Sequence, residues 1–224
     1  TLNFEIINSV IENTNIDYYN NGYSDSLIIE GSDFNNGRIN CNTEYGDIRN
    51  SNFYNSSQYG ISLNLGDYYC ENLRVYNNNS HGIYNQSDEL EINYSWIYNN
   101  NSSGVSSNIS SGDKIIINNS AIYDNNGYGI SSSGGILELN YSNIHTNTNE
   151  GLYNSSFFNM NSSILWGNDY NSSFTQLYGG NAGNLESSSI MGLNGYGVNN
   201  SQNLIINNCV DADPMYVDTL FHLD

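Results

Sequence analysis

Apolar and polar residues alternate along most of this chain in a pattern that returns about every 22 residues. In one unit, Leu90 and Ile92 stand between polar residues and are followed by Ser95 and Ile97. Alternation with a period of two is typical of β-strands. No stretch keeps a 3.6-residue period with capping residues at its ends, so the pattern predicts strands and turns throughout.

Ten copies of the unit align on one apolar residue, here called the anchor. The anchors are Ile11, Phe34, Phe53, Val75, Ile97, Ile122, Ile144, Ile164, Ile190 and Val210. Eight of the ten units carry serine two positions before the anchor: Ser9, Ser32, Ser51, Ser95, Ser120, Ser142, Ser162 and Ser188. Further along the unit a glycine followed by an aliphatic residue recurs, as in Gly82-Ile83 and Gly129-Ile130.

A fixed period of this length predicts a solenoid, because each unit can bury its apolar face only by stacking on its neighbours. The turns are rich in Asn and Gly, which tolerate a left-handed backbone. We therefore predict an all-β, three-sided parallel β-helix of about ten coils over residues 1–210. Residues 211–224 are predicted to cap the same domain, with Pro214 interrupting strand pairing and Met215, Tyr216 and Phe221 covering the last coil.

Three segments resemble a known superfamily. The coil "NNSAIYDNNGYGI" and the segment "SHGIYN" at 80–85 resemble the right-handed β-helix repeat proteins of the pectate-lyase-like fold. The closing "DADPMYVDTLFHL" is similar to the ending of secreted bacterial surface β-helix proteins. The resemblance implies a right-handed β-helix and an extracellular or cell-surface location. It leaves the function open, because the superfamily includes lyases, hydrolases, epimerases, adhesins and passive stalks.

The charge of the chain excludes two classes of partner. Four basic residues stand against 23 acidic ones, which gives a net charge of −19. Such a chain cannot neutralise nucleic-acid phosphates and is repelled by anionic membranes. It also has no apolar run long enough for membrane insertion. Cys41, Cys70 and Cys209 show no metal-ligand spacing, so we expect buried thiols.

Stacked coils turn equal positions into rows, and two rows predict a binding surface. One position after the anchor, four consecutive units carry tyrosine, which predicts an exposed aromatic ladder. One position before the anchor lie polar, charged and indole side chains on the same face. Aromatic rings beside hydrogen-bonding groups suit a linear polysaccharide or another glycan. The predicted ligand-binding residues are Tyr54, Tyr76, Tyr98, Tyr123, Trp96, Arg74 and Asp33. Alternatively, the tyrosines stack only for stability, at about 0.2–1 kcal/mol per pair.

Other rows predict structural roles. The residues two positions after the anchor predict an internal asparagine ladder that closes a turn. Its predicted members are Asn13, Asn36, Asn55, Asn77 and Asn99. Four positions before the anchor, Arg49 stands between Glu30 and Glu71, and we expect it to pair with these carboxylates.

No catalytic constellation is evident from the rows. A lyase would need a base, for which Arg74 or Lys114 would serve, beside clustered carboxylates. A hydrolase would need paired carboxylates, whereas the aspartates fall at scattered positions. His81 is expected to be a solvated turn residue. No cofactor is predicted, although Asp211, Asp213 and Asp218 could hold calcium instead of belonging to the cap.

The resulting hypothesis is a secreted or surface-displayed, non-catalytic scaffold or adhesin-like module. One alternative is a carbohydrate-active enzyme, either a lyase, a hydrolase or an epimerase. Another is a stalk or filament subunit, because "LNFEIINSVIEN" begins a coil with no segment before it to cover the open edge. Either coils upstream have been removed or a second molecule stacks there in end-to-end self-association.

Overall fold

The computed structural model describes residues 3–19, 25–169, 173–179, 182–199 and 203–214. Over these residues the chain forms only strands, bends and turns, and its strands build three parallel sheets, A, B and C. Each coil contributes one strand to each sheet in turn. The predicted all-β parallel β-helix is confirmed.

Sheet A runs along one side of the rod. Its strands are β1 (Asn3–Ile7), β4 (Ser26–Glu30), β7 (Tyr45–Arg49), β10 (Asp67–Glu71), β13 (Glu89–Asn93), β16 (Lys114–Asn118), β19 (Ile136–Asn140), β22 (Phe157–Asn161), β25 (Ala182–Glu186) and β28 (Leu204–Asn207).

Sheets B and C form the other two sides. The strands of sheet B are β2 (Val10–Glu12), β5 (Asp33–Asn35), β8 (Asn52–Tyr54), β11 (Arg74–Tyr76), β14 (Trp96–Tyr98), β17 (Ala121–Tyr123), β20 (Asn143–His145), β23 (Ile164–Trp166) and β26 (Ser189–Ile190). Those of sheet C are β3 (Ile16–Tyr19), β6 (Ile39–Asn42), β9 (Ile61–Asn64), β12 (Ile83–Gln86), β15 (Val105–Asn108), β18 (Ile130–Ser133), β21 (Leu152–Asn154), β24 (Leu177–Gly179) and β27 (Val198–Asn199).

The core is a set of apolar columns inside the rod. Anchor pairs with anchor in neighbouring coils, as Val75 does with Ile97, and both side chains are fully buried. Phe34 and Phe53 stack with their ring centroids 4.6 Å apart. Because the anchor points inward, the residues before and after it in the strand point outward.

Two anchors were predicted one residue out of register. Ile144 pairs with Leu165, and Leu165 pairs with Ile190, so Leu165 is the anchor in place of Ile164. Val210 bridges to Ser189 and therefore takes the outward position before the anchor. The sequence is ambiguous at the first site because two aliphatic residues are adjacent there, each preceded by a serine at the required distance.

The serine row closes the corner between sheets A and B. Ser95 N–H donates to Ser120 Oγ at 3.1 Å, and Ser120 Oγ–H donates to the Asn118 carbonyl at 2.8 Å. The shifted register places Ser163, and not Ser162, in this row, since the Ser142 N–H donates to Ser163 Oγ at 3.0 Å. Each serine thus joins its own coil to the next one.

The internal asparagine ladder lies one residue beyond the predicted position. Its members are Asn78, Asn100, Asn125, Asn147 and Asn168, all with at most 1% of their surface exposed. The predicted members Asn13, Asn36, Asn55, Asn77 and Asn99 are exposed turn residues with φ between 53° and 59°. Asparagine adopts the left-handed conformation readily, and the sharp bend there directs the following residue inward. The predicted ladder was therefore wrong by one position.

The recurrent glycine is required by close packing against this ladder. A Cβ atom on Gly104 would lie 2.5 Å from Ile122 Cγ2 and 2.9 Å from the Asn125 side-chain nitrogen. The equivalent glycines of the neighbouring coils meet the same kind of contacts. The row thus tolerates no side chain without a local shift.

The cysteines follow the prediction of buried thiols in part, and the cap predicted for residues 211–224 stays a prediction. Cys41 and Cys70 are fully buried, whereas Cys209 is half-buried. The Cys209 thiol takes the place of a serine in the serine row, because it donates to the Asn207 carbonyl at 3.4 Å.

Asp211 Oδ1 accepts the Gly192 N–H at 2.8 Å. The predicted capping residues Met215, Tyr216 and Phe221 lie outside the described residues. The described part of the chain has no helix long and apolar enough to cross a membrane.

Candidate functional site

The tyrosine ladder is present on the outward face of sheet B. Tyr54, Tyr76, Tyr98 and Tyr123 are the last residues of β8, β11, β14 and β17, and they pair in register through four consecutive coils. Successive ring centroids are 5.0 Å apart, and successive rings are inclined by only 2° to 4°. The predicted geometry is confirmed, and the binding role remains a prediction.

The stacked tyrosines of the ladder expose their ring edges and hydroxyl groups and not their ring faces. Each ring covers the face of its neighbour, so the ladder presents ring edges and hydroxyl groups to a ligand. Among the described residues, the hydroxyls of Tyr54, Tyr76 and Tyr98 have no hydrogen-bond partner. Burial raises the pKa of Tyr76 and Tyr98, and it raises that of Tyr123 to about 12. These three phenols are therefore neutral at neutral pH and can both donate and accept hydrogen bonds.

A second row lies beside the ladder on the same face. Asp33, Asn52, Arg74 and Trp96 are in register in four consecutive coils. The Asn52 amide donates to Asp33 Oδ1 at 2.5 Å. Arg74 Cζ lies 5.3 Å from the centroid of the Trp96 ring, and Trp96 is 39% exposed. The structure thus brings all seven predicted site residues onto one face.

The ladder continues into a buried histidine. His145 pairs with Tyr123, and the two ring centroids are 5.0 Å apart. Its side chain is only 1% exposed, although its position points outward. His145 Nδ1 lies 2.9 Å from Thr146 Oγ1, whose hydroxyl donates to Asp124 Oδ1 at 2.6 Å. Burial lowers the pKa of His145 to about 3, so this histidine is neutral at neutral pH.

Sheet C carries two aromatic groups that the sequence analysis missed. Tyr59 and Tyr84 stack at 5.0 Å, while Tyr153 stacks on Tyr178 at 5.3 Å. The signal was present, since Tyr84 and Tyr153 each follow the aliphatic residue of the recurrent glycine pair. Both groups are shorter than the ladder on sheet B.

His81 belongs to one of these groups and is not the solvated turn residue that was predicted. Its ring stacks on Tyr59 at 5.8 Å, and its Nδ1 accepts the Ser103 N–H at 3.2 Å. Burial lowers the pKa of His81. The prediction was wrong because the stacking of coils covers this turn position with the neighbouring aromatic rings.

The outward face of sheet A carries paired charges. Arg49 Nε lies 2.6 Å from Asp47 Oδ1, its Nη1 lies 3.5 Å from Glu71 Oε2, and its guanidinium lies 4.7 Å from the Tyr69 ring centroid. The predicted pairing with Glu71 is confirmed. Glu30 instead accepts the Asn50 amide at 2.7 Å, so the predicted pairing of Arg49 with Glu30 was wrong. Asp47 lies closer because it shares a strand face with Arg49.

Two carboxylates lie close together at the corner between sheets B and C. Glu150 precedes the glycine of its coil, and the Asp169 N–H donates to the carbonyl of Asn149 at 2.9 Å. Asp169 Oδ2 accepts the Ser173 hydroxyl at 2.7 Å and the Thr175 N–H at 3.2 Å. Burial, followed by the charge of Asp169, raises the pKa of Glu150. The sequence analysis placed Asp169 among the scattered aspartates and did not pair it with Glu150, because the two residues belong to different coils.

A groove of about 710 Å³ lies beside the last strands of sheet B. Its lining includes Tyr141, Asn143, Ile164, Ser189 and Asp213. Within the described ranges, no three His, Cys, Asp or Glu side chains are arranged to hold a metal ion. Of the predicted calcium ligands, Asp211 accepts a backbone N–H and Asp218 lies outside the described residues, so calcium binding stays a prediction.

Comparison with known proteins shows a likeness in fold to a solved structure. No protein-family model and no curated protein sequence matches the chain. The fold is similar to the A-module of the mannuronan C-5 epimerase AlgE6 of Azotobacter vinelandii, with a TM-score of 0.50 and 14% identity over 85% of this chain. The chain spans 64% of the length of that structure. At this identity the likeness supports the β-helix fold.

Proposed function

We propose that this chain is an extracellular or cell-surface β-helix module that binds a polysaccharide along the tyrosine ladder without cleaving it. The observation that carries the proposal is the ladder itself, in which four stacked tyrosines repeat every 5.0 Å along the rod. The hydroxyls of Tyr54, Tyr76 and Tyr98 have no partner among the described residues and are therefore available to a ligand.

The repeat of the ladder suits an extended sugar chain. In a polymer such as cellulose, each sugar advances by nearly the spacing of one coil, so every sugar would meet one tyrosine. Phenol hydroxyls can donate to and accept from sugar hydroxyls. Trp96 adds an aromatic surface on the same face, which favours contact with the apolar face of a sugar.

The charge of the chain limits the class of polymer. A net charge of −19 repels a polyanion over the whole length of the rod. The structurally similar AlgE6 module is named for an activity on mannuronan, which is a polyanion. We therefore propose a largely neutral polysaccharide as the ligand of this chain.

The test is depletion of the protein from solution by insoluble cellulose, insoluble mannan and gelled alginate, with reducing ends and unsaturated sugars measured in the same samples. We expect retention on a neutral polymer, weaker retention on alginate and no new sugar ends. A lack of retention on all three polymers would contradict binding. Release of sugar products would contradict the non-catalytic role.

A second candidate function, polysaccharide hydrolysis, is favoured by Glu150 and Asp169. In a hydrolase one carboxyl group protonates the leaving oxygen while a second carboxylate activates water. The raised pKa of Glu150 suits the acid role, and the charge of Asp169, which contributes to that shift, places a second carboxyl group near it. If the assay above yields reducing ends, Glu150→Gln should abolish them, while Glu138→Gln on sheet A should not.

A further inference from the structure

The four basic side chains of this acidic chain differ in their pairing. Arg38 pairs with Asp17 at 3.2 Å, Arg49 with Asp47 at 2.6 Å, and Lys114 with Glu138 at 3.0 Å. Arg74 is exposed and makes no ion pair or hydrogen bond through its side chain with the described residues. It is thus a guanidinium without a counter-charge in a chain of net charge −19.

Arg74 nevertheless has one aromatic contact. Its guanidinium lies 5.3 Å from the Trp96 ring centroid, a distance at which a cation is attracted to the ring. This contact engages one side of the guanidinium and leaves its N–H groups without a hydrogen-bond partner among the described residues. Trp96 therefore restrains the exposed side chain, and the donors of Arg74 remain available.

The nearest acid of the same row does not pair with Arg74. Asp33 lies two coils away, and the intervening Asn52 donates to its carboxylate at 2.5 Å. Ala121 follows Trp96 on the other side of Arg74 in the row and carries no charge. The face therefore keeps its single cation next to Tyr76, in the middle of the tyrosine ladder.

We infer that Arg74 binds a carboxylate carried by the polysaccharide that lies on the tyrosine ladder. This inference rests on the proposed function and names the class of its ligand: a mostly neutral chain with occasional acidic sugars. A guanidinium edge matches a carboxylate through two parallel hydrogen bonds, which are stronger than hydrogen bonds between neutral groups. One cation among four ladder tyrosines suits a sparse acidic substituent, because a uronate at every sugar would meet the net negative charge of the rod.

The test compares binding to two polymers. One is unmodified cellulose, and the other is cellulose in which a small fraction of the primary hydroxyls has been oxidised to carboxylates. We expect the wild-type protein to bind the oxidised polymer more tightly, and Arg74→Gln to reduce this preference by on the order of tenfold. Arg74→Lys keeps the charge but loses the paired donors and should fall between the two. Lys114→Gln makes the same charge change on sheet A and should keep the preference. Thermal unfolding of each variant verifies that it is folded.

The outcomes separate this inference from the proposed function. Equal binding of both polymers by the wild type, or an unchanged preference in Arg74→Gln, would overturn the role of Arg74 and leave the ladder as a sugar site. Loss of the preference in Lys114→Gln would also overturn it, because the preference would then follow the total charge of the chain and not Arg74. No binding of either polymer by the wild type would contradict binding of these polymers on the ladder itself.

Discussion

The interior asparagine ladder and the exterior tyrosine ladder are built by the same rule, one side chain per coil in a fixed register. The side-chain amide of Asn100 bonds to both neighbouring coils. Its Oδ1 accepts from the backbone N–H of Asn78 at 3.2 Å and from the Asn78 side chain at 2.9 Å. Its Nδ2 donates to the Val75 carbonyl and to Asn125 Oδ1, both at 3.0 Å. Tyr76 and Tyr98 touch their neighbours through ring faces, and their hydroxyls have no partner among the described residues. The first ladder can therefore only hold coils together, whereas the second retains groups for a ligand.

The largest effect should come from opening the interior ladder. Asn100→Ala removes the partners of buried groups on Asn78, Val75 and Asn125, and each unpaired buried group costs about 1–3 kcal/mol. We expect a loss of at least about 3 kcal/mol in the free energy of unfolding, measured by urea denaturation. The control Asn101→Ala removes an exposed amide that donates to Asn79 Oδ1 at 3.3 Å, and it should cost less than about 0.5 kcal/mol. Equal losses in the two variants would contradict the assignment of inside and outside.

Crowding the interior ladder should have the next largest effect. Gly104→Ala places a Cβ atom 2.5 Å from Ile122 Cγ2, so we expect a loss of about 2 kcal/mol in the same measurement. Gly112→Ala is the matched control, because a Cβ atom there has nothing within 4 Å. A neutral result at Gly104 would mean that the glycine column has room for a methyl group.

The buried end of the tyrosine ladder predicts a dependence on pH. His145 titrates at about 3 in the folded chain and near 6.5 when unfolded, so the unfolded chain binds the extra proton as the pH falls below 6.5. Stability is therefore lost on acidification, by about 2 kcal/mol between pH 7 and pH 5 from this residue alone. His145→Asn should lose correspondingly less stability than the wild type over that interval, as measured by urea denaturation at both pH values. An identical pH dependence in the two proteins would contradict the burial of the imidazole.

The smallest effect on stability should come from the exterior ladder. Tyr98→Ala removes two ring contacts at 5.0 Å, and such cross-strand pairs contribute about 0.2–1 kcal/mol each. We expect a loss of about 1 kcal/mol in urea denaturation. A loss of unfolding free energy as large as that of Asn100→Ala would mean that the tyrosines stack for stability. The sequence analysis gave this role as the alternative to ligand binding.

The repeat made the fold and the outward rows predictable, because a fixed period determines which residues stack. It left the register ambiguous where similar residues are adjacent, as at Ser162 and Ser163 or at Asn99 and Asn100. In the second case only the backbone separates the exposed residue with positive φ from the buried one. The absence of an ion pair at Arg74 and the mutual covering of the tyrosine faces depend on side-chain geometry. The amino-acid sequence alone does not give that geometry.

The central claim is that the sheet B ladder is the polysaccharide surface, and one comparison of two double variants tests it most directly. The first combines Tyr76→Ala with Tyr98→Ala, and the second combines Tyr59→Ala with Tyr84→Ala, which removes a pair stacked at the same 5.0 Å on sheet C. Retention of both proteins is measured on the neutral polymer that holds the wild type. We predict that only the first variant loses retention. Equal retention of the two variants would contradict the account.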